Sequence, residues 1–153
     1  MPTKKTSPPT SDLYLENQLC HALYAASLAM TKIYRRLLAP LGLTYPQYVV
    51  LLALWQHRSL TAGALAQAVA LDSGTLVPLL RKLMSHGLVL RQRSEVDERS
   101  VIITLTPAGR ALQRHAHAAR AQVACSTQYS AAQCAALTAQ LQSLRRTLEA
   151  PSC

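Results

Sequence analysis

The sequence predicts a mainly α-helical fold carrying one small β-hairpin. Three observations point there. Half of the 153 residues are hydrophobic, yet there is no Phe and only 5 Gly, with much Ala and Leu. Such a composition suits packed helices better than sheets. Apolar residues recur at helical spacing through most of the chain. The exceptions are two short β-like runs, Leu88–Arg93 and Ser100–Leu105, on either side of a charged tip.

Charge narrows the partners. Lys and Arg outnumber Asp and Glu to give a net charge of +9. That excess favours a polyanion, although it does not separate nucleic acid from an anionic membrane. No apolar run is long enough to span a bilayer, and the first residues lack an apolar signal core. The expectation is therefore a cytoplasmic protein with reduced thiols and no membrane partner. The cysteines stand at 20, 125, 134 and 153, without a C-x-x-C pair. His115 and His117 fall on different helix faces. No metal and no cofactor is expected.

Taken in order, Met1 to Ser11 is polar and Pro-containing and is expected to be a disordered tail. Leu13 to Leu38 reads as one long helix. Leu19, Leu23, Met30 and Leu37 mark one stripe. Cys20, Tyr24, Ser27, Thr31, Tyr34 and Leu38 mark a second, which resembles a coiled-coil seam. Pro40 and Gly42 end that helix. Thr44 then reads as an N-cap with Pro46 in the first turn. The helix from Tyr45 to His57 is apolar almost all round and should be central core.

Residues 61–70 form a short helix, with a turn at Leu71–Asp72. The next helix, from about Ser73, has Leu76, Leu79, Leu80 and Leu83 on its apolar back. Gly74, Thr75, Pro78, Arg81 and Lys82 fall on the other face. Small and hydroxyl side chains at the start with cations further along suit a DNA major groove. Pro78 removes a backbone hydrogen bond, so a bend or a late start is expected there. Gly87 fits the helix end. Helix, turn, helix, then a two-stranded wing is the layout of a winged helix-turn-helix over residues 44–105. After the wing, Thr106-Pro107 opens a helix to about Ser126. Ser130 and Gln133 form a capping-box pattern that opens a last helix to about Leu148. The expected chain is one domain over 12–149 with about six helices and a short tail at 150–153. Residues 12–42 and 106–149 would supply a dimerisation bundle, making a homodimer.

More specific motifs agree with this layout. Asp97-Glu-Arg99 followed by Val101-Ile-Ile-Thr-Leu-Thr106-Pro-Ala-Gly109 resembles the wing and exit of the MarR family of dimeric winged-helix regulators. Leu43-Thr-Tyr-Pro-Gln-Tyr48, Leu71-Asp-Ser-Gly-Thr-Leu-Val-Pro-Leu-Leu80 and Leu19-Cys20-His-Ala-Leu-Tyr24 resemble its OhrR branch. The resemblance spans about residues 13–149. It implies a repressor of a double-stranded, pseudo-palindromic DNA operator that uses an organic hydroperoxide as oxidant. In that branch an N-terminal cysteine is oxidised to a sulfenic acid and the operator is released. Cys20 matches the sensing cysteine, Tyr34 and Tyr45 its hydroxyl partners, and Tyr24 an accessory aromatic. Cys125 matches the resolving cysteine of two-cysteine members, with an intersubunit disulfide as the implied product. Cys134 and Cys153 have no counterpart. For DNA contact the resemblance and the helix face together select Ser73, Thr75, Pro78, Arg81, Lys82, Arg93, Asp97 and Arg99.

Geometry makes one of these assignments informative. Cys20 and Tyr34 lie fourteen residues apart in one helix, hence about 21 Å at about 1.5 Å per residue. They cannot touch within one chain, so a Cys20–Tyr34 contact demands a second subunit. A cysteine on a helix stripe is otherwise ordinary packing, and interfacial tyrosines are ordinarily core. Two other functions are consistent with some of the residues. One is a repressor released by a small aromatic ligand, with Cys20 structural. The other is a thiol peroxidase, which the winged helix disfavours. No G-x-S-x-G, P-loop or H-E-x-x-H is present, so an enzyme is not expected.

Overall fold

The computed structural model describes residues 10–97 and 99–150. Most of the expected N-terminal tail, together with Glu98 and Cys153, lies outside the described residues. Residues 10–17 form two 3-10 turns, Thr10–Leu13 and Leu15–Asn17, ahead of helix α1 (Leu19–Leu38). The first helix thus starts later than Leu13. The cause is Gln18, whose backbone is extended. Its side-chain amide donates to the carbonyls of Asp12 at 2.6 Å and Tyr14 at 3.1 Å, which folds the preceding chain back into tight turns. α1 gives way to a 3-10 turn at Ala39–Leu41, and Gly42 adopts φ 67° to leave it.

Helix α2 (Tyr45–His57) begins in a capping box. The Gln47 amide donates to Thr44 Oγ1, and the Thr44 amide donates to Gln47 Oε1 at 2.9 Å. This pairing lets Gln47 be buried without an unmet polar atom. Tyr48, Val50, Leu51 and Leu54 of α2 are buried with it, as the apolar run predicted. They meet Leu38, Leu65, Leu76, Leu80, Leu83, Val89 and Ile103 in a single core.

The helix-turn-helix is α3 (Ala62–Val69) and α4 (Ser73–Ser85), capped by Thr61 and Asp72. α4 begins at Ser73, where the sequence placed it, and is continuous through Pro78, its sixth residue. The Asp72 cap, with two bonds to Thr75 at 2.8 and 2.9 Å, and the buried leucines hold the helix together in spite of the missing amide. Gly87, at φ 67°, turns the chain from α4 into the wing.

Strands β2 (Val89–Arg93) and β3 (Val101–Leu105) pair antiparallel, from Val89 opposite Leu105 to Arg93 opposite Val101. A third strand, β1 (Ser59–Thr61), pairs with the other edge of β3. It was not expected, because three residues between two helices are too short for a period to show. After the wing, the expected single helix is divided at Leu112 into α5 (Pro107–Ala111) and α6 (Gln113–Thr127). Leu112 packs on the core, and its amide reaches the Ala108 carbonyl at a stretched 3.3 Å. Helix α7 (Ala131–Glu149) closes the described chain and starts in the predicted Ser130–Gln133 capping box.

The wing is fastened to the helices at Gly109. Thr106 Oγ1 donates to the Gly87 carbonyl at 2.6 Å and accepts the Gly109 amide at 3.0 Å. Trp55 Nε1 donates to the Gly109 carbonyl at 2.9 Å. A Cβ on Gly109 would strike the backbone carbonyl of Leu88, which cannot swing aside as a side chain does. Gly109→Ala should therefore cost roughly 2 kcal/mol or more, in the upper part of the overpacking range. A melting temperature unchanged from wild type would show that the wing root can give way.

Candidate functional site

The candidate DNA-reading face lies on α4. Leu76, Leu80 and Leu83 are buried, while Ser73, Thr75, Pro78, Arg81 and Lys82 are exposed on the same helix. One long edge of α4 thus fixes it to the core, and the opposite edge is free. Thr75 is partly engaged: its amide and its hydroxyl both donate to the Asp72 carboxylate. These bonds hold the Asp72 carboxyl below its usual range, so the cap stays charged at neutral pH. The Thr75 oxygen retains acceptor capacity.

At the wing tip, Asp97 accepts the Arg99 amide at 3.1 Å and the Ser100 hydroxyl at 2.7 Å. Those donors hold its carboxyl below the usual range. Asp97 therefore shapes the turn that presents Arg99, acting on its backbone. Arg93 and Arg99 are exposed, on strand β2 and at the tip respectively.

A second constellation lies where α1 meets α2. Tyr34, Tyr45 and Tyr48 form a triangle with ring centroids 4.9, 5.3 and 6.2 Å apart. Tyr48 also meets Trp55 edge-on at 6.3 Å. Tyr34 and Tyr45 are half-buried, whereas Tyr48 is only 2 % exposed. Two of these three were predicted site residues. Tyr48 was not, although its position three residues after Tyr45 places it on the same helix face.

Cys20 is exposed in the first turn of α1. Since α1 is one continuous helix, Cys20 and Tyr34 are separated by about 21 Å of helix. Tyr24, one turn beyond Cys20, is 64 % exposed, so the chain itself gathers neither Cys20 nor Tyr24 into the tyrosine triangle. Cys125 is exposed in the last turn of α6, which runs to Thr127. Cys134 is half-buried on α7, its sulfur 3.8 Å from Thr127 Oγ1, and it lines the same α6–α7 cleft as Cys125.

Burial pushes the Tyr34 hydroxyl up to about 12, with Tyr48 adding to the effect. Burial also raises Tyr45 and Tyr48. All three thus remain neutral donors through the physiological range. The folded value of Tyr34 exceeds the unfolded value of about 10, so its contribution to stability is intact below pH about 10 and is lost as pH rises toward 12. Phenolate absorbance should show a component appearing only near that upper limit, and Tyr34→Phe should remove it. A titration complete by pH about 10 would mean that the triangle is open to water.

The chain matches the family model described as transcriptional regulator SarA/Rot over residues 32–115. It is 53 % identical over 102 residues to the organic hydroperoxide resistance transcriptional regulator of Bacillus subtilis, covering 67 % of this chain and 69 % of that protein. Among solved structures it resembles AbfR of Staphylococcus epidermidis, with a TM-score of 0.75 and 32 % identity over 88 % of this chain and 94 % of that one. AbfR has also been solved reduced on DNA and in a disulfide form. BpsR of Bordetella bronchiseptica, whose DNA binding is regulated by 6-hydroxynicotinic acid, aligns with a TM-score of 0.75 and 28 % identity over 84 % of this chain and 98 % of that one. With its helix-turn-helix, its wing and these relatives, the chain is a DNA-binding transcriptional regulator rather than an enzyme, and belongs to the MarR-like SarA/Rot family of winged-helix regulators.

Proposed function

We propose that this regulator is a homodimeric repressor that organic hydroperoxides switch off through Cys20. One observation carries the reading. The exposed Cys20 and the tyrosine triangle lie at opposite ends of one helix, and the terminal helices are largely uncovered. Leu38 is the single buried residue of α1, and α7 buries none. Leu19 is 64 % and Leu148 75 % exposed. Apolar surface on this scale marks an interaction face. A second copy with α1 running roughly antiparallel would bury it and bring its own Cys20 to Tyr34 and Tyr45.

The hydroxyls then donate to the Cys20 thiolate and stabilise it. The thiolate attacks the distal oxygen of the hydroperoxide. The O–O bond breaks, the leaving alkoxide takes up a proton and becomes an alcohol, and Cys20 becomes a sulfenic acid. The Cys125 thiolate of the other subunit then attacks that sulfur, forming a disulfide and expelling hydroxide, which is protonated to water. Bringing the two Cα atoms within about 7 Å requires the terminal helices to move. That movement re-spaces the two copies of α4 and releases a pseudo-palindromic operator. On the DNA, Ser73, Thr75, Pro78, Arg81 and Lys82 face a major groove, while Arg99, on its Asp97 turn, enters a minor groove with Arg93 behind it.

A second reading rests on the cleft between α1 and α2, where Leu28, Leu43, Tyr45 and Pro46 lie beside Lys32 and Arg35. An apolar floor with two cations suits an aromatic acid, and the resemblance to BpsR favours it. In that case Cys20 is structural.

An operator gel shift separates the two. Cys20→Ser should bind the operator in buffer and ignore cumene hydroperoxide, since serine is nearly isosteric but cannot be oxidised. Release of that mutant by peroxide would place the sensor elsewhere, and release only by aromatic acids would select the second reading. On a non-reducing gel, peroxide should yield a covalent dimer that Cys125→Ser abolishes and Cys134→Ser retains. The reverse pattern would make Cys134, in the same cleft, the resolving thiol. Arg99→Ala should weaken operator binding by about tenfold, as loss of one good contact does, with an unchanged melt. Full affinity in that variant would leave the wing tip outside the complex.

A further inference from the structure

The cleft between α6 and α7 holds two thiols that the proposed switch does not use together. Cys125 and Cys134 both line it. α6 ends at Thr127, Gln128 turns the chain at φ 58°, and α7 begins at Ala131. A connection this short joins two helices into a hairpin. Cys125 stands two residues before the end of α6, and Cys134 is the fourth residue of α7. At about 1.5 Å per residue the two lie about 3 and about 4.5 Å from the helix ends that face the turn. Thr127 ties the arms of the hairpin together. Its hydroxyl donates to the Ala124 carbonyl at 2.7 Å, accepts the Tyr129 amide at 3.2 Å and lies 3.8 Å from the Cys134 sulfur. Cys134 is thus held against the same turn of α6 that carries Cys125. Ala124, Ala131 and Ala135 line the cleft beside them, and their short side chains leave it room to close.

A disulfide joining Cys20 of one subunit to Cys125 of the other would therefore form beside a second thiol. We propose that Cys134 attacks that disulfide and converts it into a Cys125–Cys134 disulfide within one chain. This rests on the reading that Cys20 is oxidised by a hydroperoxide and first joined to Cys125. The Cys134 thiolate attacks the Cys125 sulfur, the new S–S bond forms as the bond to Cys20 breaks, and Cys20 leaves as a thiolate. The Cys134 proton goes to solvent. No oxidant is needed beyond the hydroperoxide already consumed. Over the whole sequence one hydroperoxide becomes one alcohol and one water. Cys125 and Cys134 together lose two electrons and two protons, and Cys20 ends as it began.

Two features favour this direction. Cys134 belongs to the same chain as Cys125, nine residues further on, so its attack is intramolecular and the ring it closes costs little loop entropy. The thiolate it expels is the one that the proposed function sets against the Tyr34 and Tyr45 hydroxyls, and a better stabilised thiolate leaves faster. Closing the bond needs Cα atoms within about 7 Å, which the connection at 128–130 provides by letting α7 swing towards α6. The subunits are then no longer tied covalently. Oxidation is stored inside each chain, and Cys20 is returned to meet a second hydroperoxide.

The test uses the full-length chain carrying Cys153→Ser, with and without Cys134→Ser. One equivalent of cumene hydroperoxide per subunit is added, and samples are trapped with N-ethylmaleimide for non-reducing gels and peptide mapping. The Cys134→Ser chain should keep its covalent dimer until dithiothreitol is added. The chain that retains Cys134 should lose that dimer without reductant, faster by about tenfold or more, as an intramolecular attack allows. Its map should show a Cys125–Cys134 disulfide together with an alkylated Cys20. A covalent dimer of equal lifetime in both chains would overturn the exchange and leave the Cys20–Cys125 disulfide standing. A second full-length chain, with Cys20→Ser and Cys153→Ser, is titrated with oxidised glutathione, so that the sensor plays no part. It should form the same intrachain disulfide. Glutathione adducts at Cys125 or Cys134 that never close into that disulfide would show that the two thiols do not meet, and would overturn the exchange on geometry alone. No covalent dimer from the Cys134→Ser chain would overturn the exchange together with the Cys20–Cys125 step on which it rests.

Discussion

Helix α2 has apolar side chains around most of its circumference, and it has to be covered on each of those sides. Its neighbours are therefore α1, α3, α4, β1 and β3. Its N-terminal turn carries Tyr45 and Tyr48, and further along the same helix Leu51 and Leu54 pack into the core that holds α4. Burying one helix thus joins the tyrosine triangle to the DNA-reading helix through close-packed side chains. Interiors packed this way transmit displacement rather than absorb it. Trp55 extends the link by holding the Gly109 carbonyl at the root of the wing.

That architecture also explains which parts were legible in the sequence. α2, α4, the wing strands and the last helix were each announced by local chemistry: the Thr44 N-cap, the Ser130–Gln133 capping box, the leucine spacing in α4, and Gly87 at its end. The misses have physical causes. The late start of α1 depends on Gln18 reaching back to Asp12 and Tyr14, a contact that no periodicity encodes. β1 exists only because β3 offers a free edge. Pro78 is tolerated because the buried leucines and the Asp72 cap outweigh one missing amide, a balance set by tertiary structure.

The candidate site was legible unevenly. Tyr34 and Tyr45 were found through motif resemblance, whereas Tyr48 was passed over as core. It is core, being almost fully buried, yet its ring lies against those of both Tyr34 and Tyr45. Asp97 accepts the backbone amide of Arg99, not its guanidinium. Sequence shows that two residues are neighbours on a turn; it does not show which atom is held.

The length of α1 constrains how the proposed switch could work. A thiol that reports an oxidant to DNA must change the distance or tilt between two reading helices, so its chemistry has to occur where two subunits share a load. A cysteine and its activating hydroxyls placed within one chain could ionise and oxidise without moving anything. Cys20 and Tyr34 stand at opposite ends of one helix, about 21 Å apart, so under the proposed function they meet only across a dimer axis. Under that proposal, oxidation consumes a contact between subunits rather than one inside a subunit. On this view the exposed apolar stripe of α1, the exposed thiol at its start and the half-buried tyrosines near its end form one device, and the second copy of the chain is the part that completes it.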